Sequence, residues 1–270
     1  MPTYEESSAS LRPRARLVHT LGSELISSED VALVELVKNA YDADASSVTI
    51  RFLGPLIAGE GAIEVWDNGH GMSADVVRNV WLDIATPYRK QTISSESGNR
   101  RVLGEKGIGR LAASRIAGTS VIITRRANGP ETSFNVDWHQ FHQDLYLDEI
   151  EVAVSQREPE TFLSHNEAGT VQNSAFTGTG TVIKMQGLLR VWDAADILHL
   201  RLMLERMIPP SHDSDGTREL PAAFSINLVV PDELADLGGP ISPSTILSLP
   251  DYRITGEVDE TGSASLRYVE

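Results

Sequence analysis

The sequence predicts an α+β protein, and three observations lead there. Amphipathic stretches with helical spacing occur at residues 31–42, 73–85 and 194–208. Short β-branched runs at 47–53, 61–67, 119–126, 132–137, 149–155 and 180–186 read as strands, punctuated by glycine and polar turns. With 270 residues, 41% of them hydrophobic and 23% charged, the chain is globular in composition, with room for one complete domain and part of another.

Taken in order, residues 1–10 are expected to be disordered, and "LRPRARLVHTLGSELI" reads as a short helix or arm. "VALVELVKNAYDADASSVTI" (31–50) contains a helix followed by a strand. Ser27 with Asp30 three residues later reads as a capping box. Val31, Val34, Val37 and Tyr41 supply an apolar stripe, whereas Glu35, Asn39 and Asp42 fall at i, i+4 and i+7 in one polar line. Such a line is either a solvated face or the lining of a pocket. Ser73 caps the helix 73–85, with Asp75 in its first turn. Residues 86–103 are polar and aperiodic, as a functional loop would be. "GIGRLAASRIAG" starts a helix from glycines and ends it at Gly118. After the helix 194–208, Pro209-Pro210 and "SHDSDGT" form a linker, and "AAFSINLVV", "YRITGEV" and "ASLRYVE" read as strands of a second unit.

Composition narrows the function classes. The chain has no cysteine, so disulfides and thiolate metal sites are ruled out. No signal peptide is evident and no run approaches 18 apolar residues, so a cytoplasmic protein without a membrane span is expected. A net charge of −15 argues against a broad nucleic-acid surface, although Arg100, Arg101 and Arg110 cluster around one glycine-rich stretch. Only four of the 23 basic residues are lysines: Lys38, Lys90, Lys106 and Lys184. Lys38 is expected at the surface, and Lys184 has no assigned role.

Two motifs carry the chemistry. "VWDNGHGMS" (65–73) is a strand running into Asp67, whose carboxylate could accept a hydrogen bond from an exocyclic amine. Gly69 and Gly71 let the backbone turn sharply and approach a ligand, with His70 as a turn residue. "LGEKGIGRLAASRIAG" (103–118) brings Gly104, Gly107 and Gly109 before a helix, a pattern suited to phosphates although neither a P-loop nor a Rossmann spacing.

The order of these motifs, E-x-x-x-N-x-x-D, then D-x-G-x-G, then G-x-x-G-x-G, resembles the GHKL ATPase superfamily over roughly residues 17–208. That superfamily comprises the ATPase protein of DNA gyrase, the ninety-kilodalton heat-shock chaperones, histidine kinases and MutL. The resemblance implies a two-layer α/β sandwich, the Bergerat ATP-binding fold, with the start of a transducer-like domain behind it. It divides the chain into 1–16 (disordered or arm), 17–210 (ATP-binding domain) and 211–270 (a second domain cut short). It makes Glu35 the general base that activates water and Asn39 the magnesium ligand. Asp42 would support the adenine pocket or its waters. Asp67 would take the adenine amine, Met72 would pack on the base, and Thr181 would join the adenine hydrogen-bond network. Residues 84–104 would form a lid, with Thr86 and Lys90 in its "ATPYRK" segment. Gly104, Lys106, Gly107, Ile108 and Gly109 would hold the phosphates.

The implied ligands are ATP and Mg2+, the implied activity is ATP hydrolysis driving a conformational switch, and the implied assembly is a nucleotide-dependent homodimer of the full-length protein. The client, protein or DNA, is not implied. In gyrase-like and MutL-like members a lysine from the second domain completes the site. No lysine follows Lys184 here, so that cation is expected beyond Glu270 and turnover is expected to be slow. Two other readings are a sensor histidine kinase, with His19 superficially like an acceptor, and a non-hydrolysing nucleotide-binding module. Glu35 and the short stretch before residue 27, which cannot supply a helical-hairpin acceptor domain, weigh against the first, and Glu35 with Asn39 against the second.

Overall fold

The computed structural model describes residues 10–83, 95–98, 100, 102–103, 109–163, 178–208, 224–243, 253–258 and 262–269. Helices α1 (Arg16–Leu25) and α2 (Glu29–Asp42) precede strands β1 (Ser47–Leu53) and β2 (Ala62–Asp67). Helix α3 (Ala74–Val76) widens into a π-type turn over Val77–Trp81. A 3-10 turn (Gly109–Ala112) leads into α4 (Ala113–Ile116) and directly into β3 (Ala117–Arg125). Then follow β4 (Glu131–Asp137), β5 (Val154–Arg157), β6 (Gly180–Leu188) and α5 (Ala194–Glu205). Strands β7 (Ser225–Val229), β8 (Gly239–Pro240), β9 (Arg253–Val258) and β10 (Ala264–Val269) complete the chain.

Eight strands form one sheet in the order β5-β4-β3-β6-β2-β1-β7-β8, and β9 pairs with β10 in a separate hairpin. Neighbours in the large sheet are antiparallel except β1 and β7, which run parallel from Ser47↔Ser225 to Arg51↔Val229. Alternation along each strand decides which side chains go inward. Val48, Ile50 and Phe52 of β1, Ile63 and Val65 of β2 and Met185 of β6 are buried in one core with Leu33, Leu36 and Val37 of α2 and Ile197, Leu200 and Leu204 of α5. On the opposite face Ile123, Val182 and Phe162 form a small cluster with Trp66 and Val121. Among the described residues no helix is long and apolar enough to cross a membrane.

Several expectations are corrected. Helix α2 buries Ala32, Leu33, Leu36, Val37 and Ala40, while Val31 and Tyr41 are half-buried. It packs against α5 and the 109–116 segment as well as the sheet, so its apolar arc is wider than one stripe. Its N-cap is Ser28, not Ser27, and makes no side-chain cap bond. Helix 73–85 is shorter than expected, and Gly118 lies in β3 rather than ending a helix. A Cβ there would meet the end of the exposed His139 side chain, which would have to swing aside. The strand expected at 149–155 starts at Val154. Residues 1–9 of the arm and the whole linker, Pro209-Pro210 with "SHDSDGT", lie outside the described residues.

The boundary at residue 210 is also crossed. Strand β7, assigned to a second unit from sequence, hydrogen-bonds to β1 and buries Phe224, Ile226, Leu228 and Ile241 in the main core. The reason is geometric: without β7 the edge of β1 would face solvent with unpaired backbone groups. A chain ending at residue 208 should therefore be destabilised by about 6 kcal/mol or more relative to one ending at residue 243, counting about 1.5–3 kcal/mol for each of these side chains. Thermal and urea unfolding of the two versions measures this, and equal stability would restore the boundary at 210.

Candidate functional site

Helix α2 supplies the first wall. Glu35 and Asn39 are half-buried one turn apart, and Asp42 is buried at the helix end. Asn39 lies against Gly109, where an added Cβ would meet Asn39 Nδ2 at 2.9 Å. The end of the glycine-rich stretch is thus pressed onto the helix because residue 109 has no side chain. Glu35 Oε1 accepts a hydrogen bond from Lys38 Nζ at 2.6 Å, so Lys38 is not simply solvated as expected from its spacing. Asp42 Oδ1 accepts from the Leu103 N–H at 2.7 Å, which ties it to the entrance of the glycine-rich stretch.

The second wall is the end of β2. Asp67 is buried, and its carboxylate accepts from the backbone N–H groups of Gly69 (2.9 Å) and Thr181. Burial pushes its pKa up to about 6, against the lowering effect of those two bonds and of the His70 imidazole. Gly71 has φ +66°, and an added Cβ would lie 1.9 Å from the Arg125 carbonyl oxygen. A Cβ at Gly69 would lie 2.6 Å from the Ala43 carbonyl oxygen. The room these glycines make therefore admits the protein's own backbone at the junction of α2, β2 and β3.

Behind Asp67 lies a network that sequence reasoning only half found. Thr181, opposite Asp67 in the β2–β6 register, is 2.9 Å through its hydroxyl from Thr124 Oγ1. Thr124 Oγ1 also accepts from the Met72 N–H at 2.9 Å and lies 3.0 Å from the Gly180 carbonyl oxygen. Thr124, fully buried, sits inside an ordinary β-branched strand, and nothing in its local pattern marks it. Asn68 was also missed: its Oδ1 accepts from the N–H groups of Ser46 and Ser47 at 2.9 Å each, fixing the turn to β1. The Asp-Asn-Gly run was the available signal, because such residues bond local backbone.

The segment 95–103 is fastened to the end of α2. Asp44, at φ 59°, accepts from the Ser97 N–H (2.9 Å) and hydroxyl (2.7 Å). Burial would raise the Asp44 pKa, but hydrogen bonds from Ser95 and Ser97 and the charge of Arg100 carry it below the usual range. Arg100 donates to the carbonyls of Tyr41 (3.1 Å) and Ala45 (2.6 Å) and stacks 4.5 Å over the Tyr41 ring. It caps the negative end of α2 rather than extending a ligand-binding basic patch. Glu96 pairs with Arg126 and lies 3.8 Å from His70 Nε2. Of the remaining expected site residues, Thr86, Lys90, Gly104, Lys106, Gly107 and Ile108 lie outside the described residues.

The family model described as histidine kinase-, DNA gyrase B- and HSP90-like ATPase matches residues 26–170, and the chain belongs to that family. The helices on one face of the mixed sheet are its Bergerat-type α+β sandwich. The chain is 29% identical over 183 residues to the chaperone protein HtpG of Azorhizobium caulinodans, covering 60% of this chain and 28% of the chaperone. It is 40% identical over 73 residues to the DNA mismatch repair protein MutL of Chlamydia abortus, covering 25% of this chain and 12% of MutL. It is 35% identical over 97 residues to a putative type II restriction enzyme, HgiDII, of Herpetosiphon aurantiacus, covering 36% of this chain and 15% of that protein. The matched region thus spans less than a third of each relative's length.

The buried carboxylate makes stability depend on pH. The folded chain holds the Asp67 proton up to about pH 6, whereas its ordinary value is 3.8. Its contribution is therefore most favourable below pH 4 and is lost as pH rises through 6, by about 3 kcal/mol in all. Asp67→Asn cannot ionise and should flatten this part of the profile, with stability at pH 7.5 equal to or above that of the parent. Unfolding between pH 4 and pH 7.5 tests this, and an unchanged slope in the variant would show that Asp67 is not its source.

Proposed function

We propose that this chain binds ATP with magnesium and hydrolyses it, acting as the nucleotide-driven switch of a larger protein. The observation that carries this reading is the pairing of Glu35 and Asn39 one turn apart on α2, with Asn39 against Gly109, together with a buried carboxylate at Asp67. In this reading Asp67 accepts the adenine amine, and Thr181, Met72 and Thr124 hold that corner in shape. Glu35 takes the proton from the attacking water. Asn39 offers an amide oxygen to the metal. An amide oxygen suits magnesium, which takes oxygen ligands and binds through few protein groups, phosphate oxygens and water. When bound, the ion neutralises developing charge on the phosphates.

Residues 84–104 are assigned as the lid. Ser97, Arg100 and Leu103 fasten its far end to the end of α2, so lid movement would be felt by the helix that carries Glu35. The ATP-binding unit is taken to run from residue 17 to about residue 243, and the hairpin β9–β10 to begin the unit that reads the switch. A nucleotide-dependent homodimer and a protein or DNA client, in keeping with the chaperone, mismatch-repair and restriction names of the relatives, belong to the same proposal.

Three variants separate the roles. Asp67→Asn should lower ATP affinity more than about tenfold, because an amide replaces a charged acceptor in a buried position. Glu35→Ala should keep ATP binding, at or above the parental affinity, while hydrolysis falls about a hundredfold or more. Asn39→Ala should weaken binding mainly when magnesium is present. Calorimetry and phosphate release measure all three; ATP binding by Asp67→Asn at parental affinity would refute the pocket assignment. Loss of binding in Glu35→Ala would make that residue structural. Labelled phosphate that stays on the protein instead of being released would favour a kinase.

A further inference from the structure

Lys38 Nζ lies 2.6 Å from Glu35 Oε1, and the two side chains are only 33% and 29% exposed. An exposed i,i+3 pair contributes little and needs no explanation. This pair is half-buried and occupies the carboxylate on which the proposed hydrolysis depends. The Glu35 oxygen that holds the ammonium in a short charge-assisted bond has that lone pair occupied. Freeing both oxygens of Glu35 requires the ammonium to find another anion.

The position of Lys38 says where that anion would be. It is flanked on the helix by Glu35 and by Asn39, and Asn39 touches the end of the glycine-rich stretch at Gly109. Lys184 has a different environment: it lies 3.8 Å from Glu64 and 5.6 Å over the Trp66 ring, on the sheet face away from α2. Of the two described lysines, Lys38 is therefore the one on the helix that carries Asn39. A four-carbon stem on a helix anchored on both flanks lets the ammonium move several ångströms while its Cα stays fixed.

Resting on the ATP reading, we propose that Lys38 senses the terminal phosphate: it holds Glu35 in the nucleotide-free chain and releases it when a nucleoside triphosphate offers a more highly charged partner. A diphosphate lacks that group and leaves the Lys38–Glu35 pair closed. The same cation then helps to hold the triphosphate, so the pair couples recognition of ATP over ADP to exposure of the base. The site would not present a free base to water until the terminal phosphate is present.

The test is calorimetric titration of the full 270-residue chain with magnesium ATP and, separately, magnesium ADP. Lys38→Met, which keeps the aliphatic stem, should lose about tenfold in ATP affinity with ADP affinity unchanged. Lys38→Arg should retain part of the preference. Glu35→Gln, which frees the ammonium from its ion pair, should increase the ATP-to-ADP ratio, and the double variant should behave like Lys38→Met. A surface pair of no functional consequence would leave the ratio unchanged in all variants, and a purely structural pair would lower both affinities together; either result overturns the proposal. Parental protein that binds neither nucleotide would instead overturn the ATP reading and this inference with it. Parental binding with an unchanged ratio overturns this inference alone.

Discussion

The carboxylate of Asp67 is buried at the point where α2, β2, β3 and β6 meet, and much of the local architecture exists to tolerate it. A charged group taken out of water must be held by donors or give up its charge. Here the Gly69 and Thr181 N–H groups supply the donors, while burial still pushes the pKa to about 6. Presenting Gly69 requires the turn after β2 to fold back on the end of α2, where the His70 N–H donates to the Ala43 carbonyl at 2.9 Å. Closing that turn against β3 requires Gly71 at positive φ beneath the Arg125 carbonyl. Glycines that a motif search assigns to ligand contact are thus explained here by the backbone crossing that keeps one acid dry.

Helix α2 carries the other half of the site because it is wedged rather than merely laid on the sheet. Contacts with the sheet, with α5 and with the 109–116 segment bury more than half of its circumference. At its start Asp30 is gripped by His199 of α5 at 2.6 Å. Burial works against the charge of Asp30, yet hydrogen bonds from Ser28, from the helix N–H groups and from His199 hold its carboxyl below the usual range. At its other end Arg100 and Asp44 bind the segment 95–103. A helix pinned at both ends can hold Glu35 and Asn39 in a constant relation, as the proposed hydrolysis requires.

Strand β7 shows how a sheet can reach beyond an apparent linker. It joins β1 in the sheet's one parallel pairing among the described residues, which needs a long connection, here running through β2 to α5 and beyond. The result places the helix layer and the sheet layer of the family fold under one core extending to Ile241. The hairpin β9–β10 lies outside that sheet.

By itself, the sequence determined the alternation of helices and strands, the polar line on α2, the acid at the end of β2 and the glycine-rich stretch, because these are local periodicities and local turn chemistry. Order and spacing of three motifs then sufficed for the family, which the match over residues 26–170 bears out. Tertiary structure alone decided that Asp42 serves Leu103, that Arg100 caps a helix, and that Thr124 backs Asp67 through Thr181. It also decided that β7 belongs to the main sheet. Each of these is a contact whose partner cannot be read from the residue itself. For Arg100, Thr124 and β7 the partners lie more than fifty residues away in the chain. Nothing in a helical or strand period specifies which distant backbone will arrive beside a given side chain.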